Sequence, residues 1–137
     1  MPRVDAAYLA NAAYVDPSGL LSVLGAHIEI VNAPQFPWRS QLWVIVRLLV
    51  EEPDDGDVPI AVIVEHDDTE RLLRMDGTAR VLAHPPTADP DLPVSVQIVL
   101  PLQLEFRRDG LYHVKVLFNG EEIVDKRLKV RSILPTV

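Results

Sequence analysis

Cysteine is absent from the 137 residues, which excludes disulfide frameworks, thiolate nucleophiles and cysteine-bound zinc or iron–sulfur centres. A chain of this length does not need such staples, because it can bury a core of its own. Basic charge is in short supply too. Thirteen Lys and Arg against twenty Asp and Glu leave a formal charge of −7, which opposes non-specific binding to nucleic acid or to an anionic membrane surface. No apolar run approaches the roughly 18 residues that suggest a membrane-spanning helix. Met1-Pro2-Arg3-Val4-Asp5 also lacks a basic segment leading into an unbroken apolar one, since Asp5 and Asn11 interrupt the apolar residues there. The expectation is a cytoplasmic protein with no nucleic-acid or membrane partner. Glycines number six; nearly all coincide with predicted turns, and none forms a Gly-rich loop ahead of a lysine as phosphate cradling requires.

What the chain does have is globular composition, 48% hydrophobic and 24% charged, and this implies one domain over residues 1–137. Its dominant signal is a period of two. Val94, Val96, Ile98, Leu100, Leu102, Leu104 and Phe106 alternate with an outward set that includes Pro101, which predicts a long half-buried strand at a sheet edge or with a bulge or change of sheet at the proline. The same period runs through Leu42 to Val50 and through Val58 to Val64, with the polar segment 51–57 between them as a hairpin loop. Shorter strands are expected over Arg71–Met75 and Ala79–Ala83, joined by Asp76-Gly77. Ala6–Val15 fits helix or strand, and Leu20–Val31 reads as one strand bent at Gly25.

Tyr112, Val114, Val116 and Phe118 alternate up to Asn119-Gly120, a strong hairpin signal. A strict two-residue turn would set Tyr112 opposite Arg127, so a bulged or odd-length turn is expected. The sum is an all-β, immunoglobulin-like antiparallel β-sandwich of eight or nine strands with little helix.

Arg108-Asp109-Gly110-Leu111-Tyr112 looks like a tyrosine corner, in which the phenol bonds to the backbone upstream. The chain as a whole resembles a family of small bacterial proteins of unknown function, expected to be immunoglobulin-like sandwiches. The resemblance lies in Tyr8-Leu9-Ala10-Asn11-Ala12-Ala13-Tyr14, in Gly19 to Ala26, in Pro34-Gln35-Phe36-Pro37, in Gly110-Leu111-Tyr112 and in Asn119-Gly120-Glu121-Glu122. It implies a fold and no activity.

Motifs for chemistry are missing. His27-Ile28-Glu29 matches the start of a zinc-deaminase motif whose cysteine ligands the chain lacks. Segment 51–57 departs from the EF-hand pattern, and Glu65-His66-Asp67-Asp68 reads as a solvated turn. No Gly-x-Ser-x-Gly occurs. No catalytic residue, metal ligand or cofactor is therefore assigned, and the chain is expected not to be an enzyme.

Partner binding is the better-supported class. In the loop 33–40, restrained by Pro34 and Pro37, Phe36, Trp38 and Arg39 are of the types enriched in interface hot spots, with capping of the core as the plainer use of the two aromatics. Trp43, Ile45 and Leu49 point opposite to the main apolar set of their strand, so either the Ala6–Tyr14 segment or a second subunit must cover them. Basic residues gather at the last hairpin in Lys126, Arg127, Lys129 and Arg131, either to protect an edge strand or to meet an acidic partner. The leading expectation is a non-catalytic protein-interaction module that forms a homodimer. The alternatives are a small-ligand protein with a pocket beneath Phe36 and Trp38, and a catalytic sandwich.

Overall fold

The computed structural model describes residues 2–50, 56–81 and 91–133. Apolar side chains at every second position bury together only on an extended backbone, and the described residues form nine strands and no helix. These are β1 (Arg3–Val15), β2 (Leu21–Ala26), β3 (Ile30–Ala33), β4 (Trp38–Val50), β5 (Gly56–His66), β6 (Arg71–Val81), β7 (Val94–Phe106), β8 (Gly110–Phe118) and β9 (Glu121–Ser132). A four-stranded sheet in the order β2-β1-β4-β7 packs on a five-stranded one in the order β3-β9-β8-β5-β6. Between them lies the core. Leu42, Val44, Val46 and Leu48 of β4 and Ile98, Leu102, Leu104 and Phe106 of β7 meet Val62 and Val64 of β5, Val114 and Val116 of β8, and Leu128 of β9.

The expected all-β sandwich is the observed fold, with one departure from antiparallel pairing: β3 runs parallel to β9, Ile30 opposite Lys129 and Ala33 opposite Ser132. That pairing follows from a correction. The Leu20–Val31 segment is not one bent strand but two strands in different sheets. Gly25 and His27 both have φ of 62°, and the turn they make carries the chain across the open side of the sandwich, where the Ile28 amide donates to the Leu9 carbonyl at 2.9 Å. A Cβ on Gly25 would press on the Asn11 side chain and would sit at a φ that side chains rarely adopt, so glycine is favoured there.

A second correction concerns Arg71–Met75 and Ala79–Ala83. Arg71 to Val81 is one strand, with Gly77 opposite Ile60 in mid-ladder; Leu82 and Ala83 lie outside the described residues, as do 51–55 of the polar segment. Asp76-Gly77 has turn composition, but an unbroken partner in β5 outweighs it. Ala6–Val15, open between helix and strand, is strand β1. Pro101 sits exposed on β7, the edge of its sheet, and the ladder runs unbroken from Trp38 opposite Phe106 to Val50 opposite Val94, so the strand does not change sheets.

The last hairpin carries the expected bulge. Asn119 and Gly120, with φ of 53° and 80°, close a two-residue turn between Phe118 and Glu121. A register shift after Val116 then sets Val116 opposite Val124 and Tyr112 opposite Leu128. The tyrosine corner is formed as well: Tyr112 is buried, and its hydroxyl donates to the Arg108 carbonyl at 2.7 Å.

Candidate functional site

Of the aromatic loop, Phe36 and Trp38 are half-buried against the core, and Trp38 opens β4 opposite Phe106. Arg39, the next residue, is exposed. The loop aromatics thus close one end of the sandwich.

Trp43 and Ile45 lie together on the outer face of the four-stranded sheet, and Leu49 shares that face beyond Arg47. β1 does not cover them; it pairs beside β4 in the same sheet, with Tyr8 opposite Ile45 and Ala10 opposite Trp43. On the other flank Val99 faces Ile45 and Pro101 faces Trp43. Beyond β1, β2 adds Ala26 opposite Ala10 and Leu24 opposite Ala12. The result is a continuous apolar face across four strands, crossed from Leu24 and Ala26 to Val99 and Pro101. Ile45 at its centre is 2% exposed, so its neighbours on the face close over it, while Leu24 is 72% and Tyr14 62% exposed. One end of the face is rimmed by Arg47, which donates to Asp5 at 2.6 Å, and the other by exposed Gln41 and Gln103. Sequence reasoning found the β4 residues and missed Tyr8, Ala12 and Leu24. The period-two spacing of Tyr8, Ala10, Ala12 and Tyr14 is the signal that would have added β1.

A second feature occupies the open side of the sandwich, where the chain passes from β2 to β3. There a cavity of about 510 Å³ lies between β1 and β9, with buried Leu9 and half-buried Ile28 on its apolar side. Tyr8 and His27 also line it, their ring centroids 4.9 Å apart. Lys126, Arg127 and Lys129 supply cations from β9, and Glu29 and Asp125 supply carboxylates. Lys126 has the inward parity of Val124 and Leu128, opposite Val114. β9 is not an edge along its whole length, since β3 covers it from Lys129 onward; the edge-protection reading applies only to the residues before that point.

Several charges on the outer face of the five-stranded sheet are mutually engaged. His113 faces Asp125 through Nδ1 at 3.0 Å and Asp67 through Nε2 at 3.1 Å. Hydrogen bonds to these carboxylates hold its pKa above the usual histidine value. The two ring nitrogens point in opposite directions, so the three groups do not converge on one point, and among the described residues no group of three His, Asp or Glu side chains is placed to hold a metal ion. Lys115 donates to Glu65 at 2.6 Å. Arg108 bonds both Asp68 and Glu70, and its guanidinium lowers the Asp68 pKa to about 2. His27 lies outside any strand, in the connection between β2 and β3. No helix of the described residues is long and apolar enough to cross a membrane.

Comparison with known proteins adds a fold and a family. The crystal structure of the C-terminal domain of wzt superposes with a TM-score of 0.55 at 10% identity, covering 97% of this chain and 75% of that one. The Pseudomonas fluorescens alkylpurine DNA glycosylase AlkC bound to DNA containing an abasic site analog gives a TM-score of 0.48 at 12% identity, over 95% of this chain and 30% of that one. No curated protein matches the chain. The family of unknown function DUF6941 matches residues 5–131, nearly the whole length, and the chain belongs to that family.

Proposed function

We propose that the protein is a non-catalytic interaction module of immunoglobulin type whose partner on the outer face of the four-stranded sheet is a second copy of itself. The observation that carries this reading is the apolar face running from Leu24 through Ala10 and Trp43 to Pro101. A contiguous, polar-rimmed apolar patch on a folded surface marks an interaction site. Four strands at about 4.8 Å spacing and the six intervals of about 3.3 Å from Gln41 to Arg47 give a face of roughly 400 Å², the size of the largest apolar patch on a folded surface, which is often a functional one.

Self-association is favoured by the relief of the face. Leu24 and Tyr14 stand out beside the low ground of Ala12 and Ala26, so a copy related by a two-fold axis sets its own Leu24 there and receives the partner's in return. Arg47 and Asp5 neutralise each other on the rim, which leaves no lone charge to desolvate. The immunoglobulin type is supported by strand order: β1-β4-β7 and β9-β8-β5-β6 follow the A-B-E and G-F-C-C′ arrangement, with Tyr112 in the tyrosine-corner position. A chain without cysteine suits the reducing cytoplasm.

Light scattering on the purified protein over a concentration series tests the proposal. The expected mass is twice the 15.3 kDa of the chain. Leu24→Glu should give monomers with unchanged circular dichroism, because Leu24 is so exposed that its replacement costs the fold little. A parent protein that stays monomeric at its highest soluble concentration, or a Leu24→Glu protein that stays dimeric, refutes it.

A further inference from the structure

From the cavity between β1 and β9 we infer a binding site for a small phosphate monoester that carries a planar or apolar body. Its volume of about 510 Å³ falls within the range of about 300–1,000 Å³ typical of ligand pockets. The lining divides in the way such a ligand requires. Lys126, Arg127 and Lys129 stand at one side, while Tyr8, His27 and Ile28 offer ring faces and apolar surface at the other.

Local charge at the site opposes the net charge of the molecule. The chain carries −7 overall, and Arg47, Arg74, Arg108 and Lys115 are each neutralised by a carboxylate within the fold. The three β9 cations have no ion-pair partner among the described residues, as is true of Arg3, Arg39, Arg71, Arg80, Arg107 and Arg131, and what sets the three apart is that they line one cavity. Two of them, Arg127 and Lys129, lie on one face of β9 two residues apart, about 6.6 Å along the strand. Lys126 reaches the cavity from the other face, the inward one, opposite Val114. The cations therefore line the cavity from both faces of the strand, and a phosphate has acceptor oxygens for more than one of them. Glu29 and Asp125 also line the cavity, with Asp125 sharing His113 with Asp67, so the three cations outnumber the two carboxylates by one.

Lys126 has inward parity but an exposed side chain, and edge protection needs no companions; a cavity lined by three cations and an adjacent ring pair is more than edge protection requires. A phosphate suits the cations better than a carboxylate does because it brings more charge and more acceptors to three donors. The ring pair of Tyr8 and His27, 4.9 Å apart and tilted by 38°, supplies the surface on which the ligand's body rests.

The test is amide NMR of the full chain titrated with phenyl phosphate, with inorganic phosphate and phenol as the two halves of the probe. Saturable shifts at residues 8, 27 and 126–129 with phenyl phosphate, weaker ones with either half, and loss of about tenfold in affinity for each of Lys126→Gln and Lys129→Gln are expected. Both lysines are exposed, so the variants should keep the parent spectrum elsewhere. No saturable shift at these residues, or equal affinity in the double variant and the parent, overturns the inference. So does a site filled by an acidic peptide and not by phenyl phosphate, which would make the β9 edge a protein-docking strip. Repeating the titration in Leu24→Glu separates the site from dimer formation, because the cavity is complete within one chain.

Discussion

Gly110→Ala should destabilise the protein by about 2–4 kcal/mol, in two parts that can be separated. Gly110 has a φ of 132°, a region L-residues rarely adopt, and holding alanine there costs about 1–3 kcal/mol. A Cβ would also fall 2.3 Å from His66 Nε2. That ring has little freedom to retreat. Its Nδ1 accepts from the Asp68 amide at 3.2 Å and its Nε2 faces the Asp109 carbonyl at 3.2 Å, which fixes the Nε2–H tautomer. The ring also stands edge-on to Tyr112 at 4.9 Å. Displacing it loses hydrogen bonds at about 0.5–1.5 kcal/mol each. Urea denaturation followed by tryptophan fluorescence measures the total, and the cycle with His66→Ala isolates the collision. In the His66→Ala background Gly110→Ala should cost less by about 1 kcal/mol or more, since only the backbone part remains. Strict additivity of the two substitutions, or a Gly110→Ala protein as stable as the parent, would refute this account of the corner.

Tyr112→Phe leaves the Arg108 carbonyl without its 2.7 Å donor and should cost about 1–3 kcal/mol, read as a lower midpoint at unchanged slope in the same denaturation assay. Trp38→Ala should cost about 2–4 kcal/mol, because the indole packs against the core as well as forming the loop's surface; a melting temperature within about 1 °C of the parent would instead make Trp38 a free binding residue. His113 contributes a pH dependence of definite sign. Its folded pKa is raised by Asp67 and Asp125 above the 6.5 of the unfolded chain, so its stabilisation is complete below 6.5 and is lost as pH rises through the folded value. Thermal melts from about pH 6 to about pH 9 should show stability falling, and His113→Gln should flatten that slope; an unchanged slope in the variant would exclude the ion pairs as its cause.

The strands were legible wherever one face is core and the other solvent, as in β7 and β8, because alternation then records burial directly. On β1 the alanines fit helix or strand equally, so period alone did not place that segment, whereas Val58, Ile60, Val62 and Val64 placed β5 although every residue from Ile60 to Val64 is buried. Turn chemistry misled at Asp76-Gly77, where a glycine tolerated within a strand has the composition of a loop. At Gly25 a glycine did mark a break, but the change of sheet depends on β9 as an acceptor about a hundred residues later, and local sequence carries no record of that. The surface features divide the same way. Parity alone showed Trp43, Ile45 and Leu49 on a second apolar face, whereas the cavity needed the crossing of β2 to β3 beside β9, which unites residues 8, 27 and 126–129.

That crossing explains why the cations gather where they do. A two-sheet sandwich is closed at its centre by the core and is open along its sides, where neither sheet has a partner strand. On one side, among the described residues, the gap is bridged by residues 27–29, between the end of β2 and the start of β3. Beyond the reach of β3, the stretch of β9 before Lys129 has no neighbour on that edge among the described residues, so its backbone groups would accept another strand. An inward lysine at position 126 blocks that addition, because a strand pairing there would have to bury the ammonium. The same charge, with Arg127 and Lys129 beside it, makes the gap attractive to an anion small enough to enter without pairing. Edge protection and anion binding are then two consequences of one placement, and they separate experimentally. Lys126→Glu keeps an inward charge and so keeps the edge blocked, leaving the protein soluble and its mass unchanged, but it reverses the field in the cavity and should abolish phenyl phosphate binding. Aggregation of Lys126→Glu would show that the positive sign itself guards the edge; undiminished ligand binding would show that the cavity does not use the lysine.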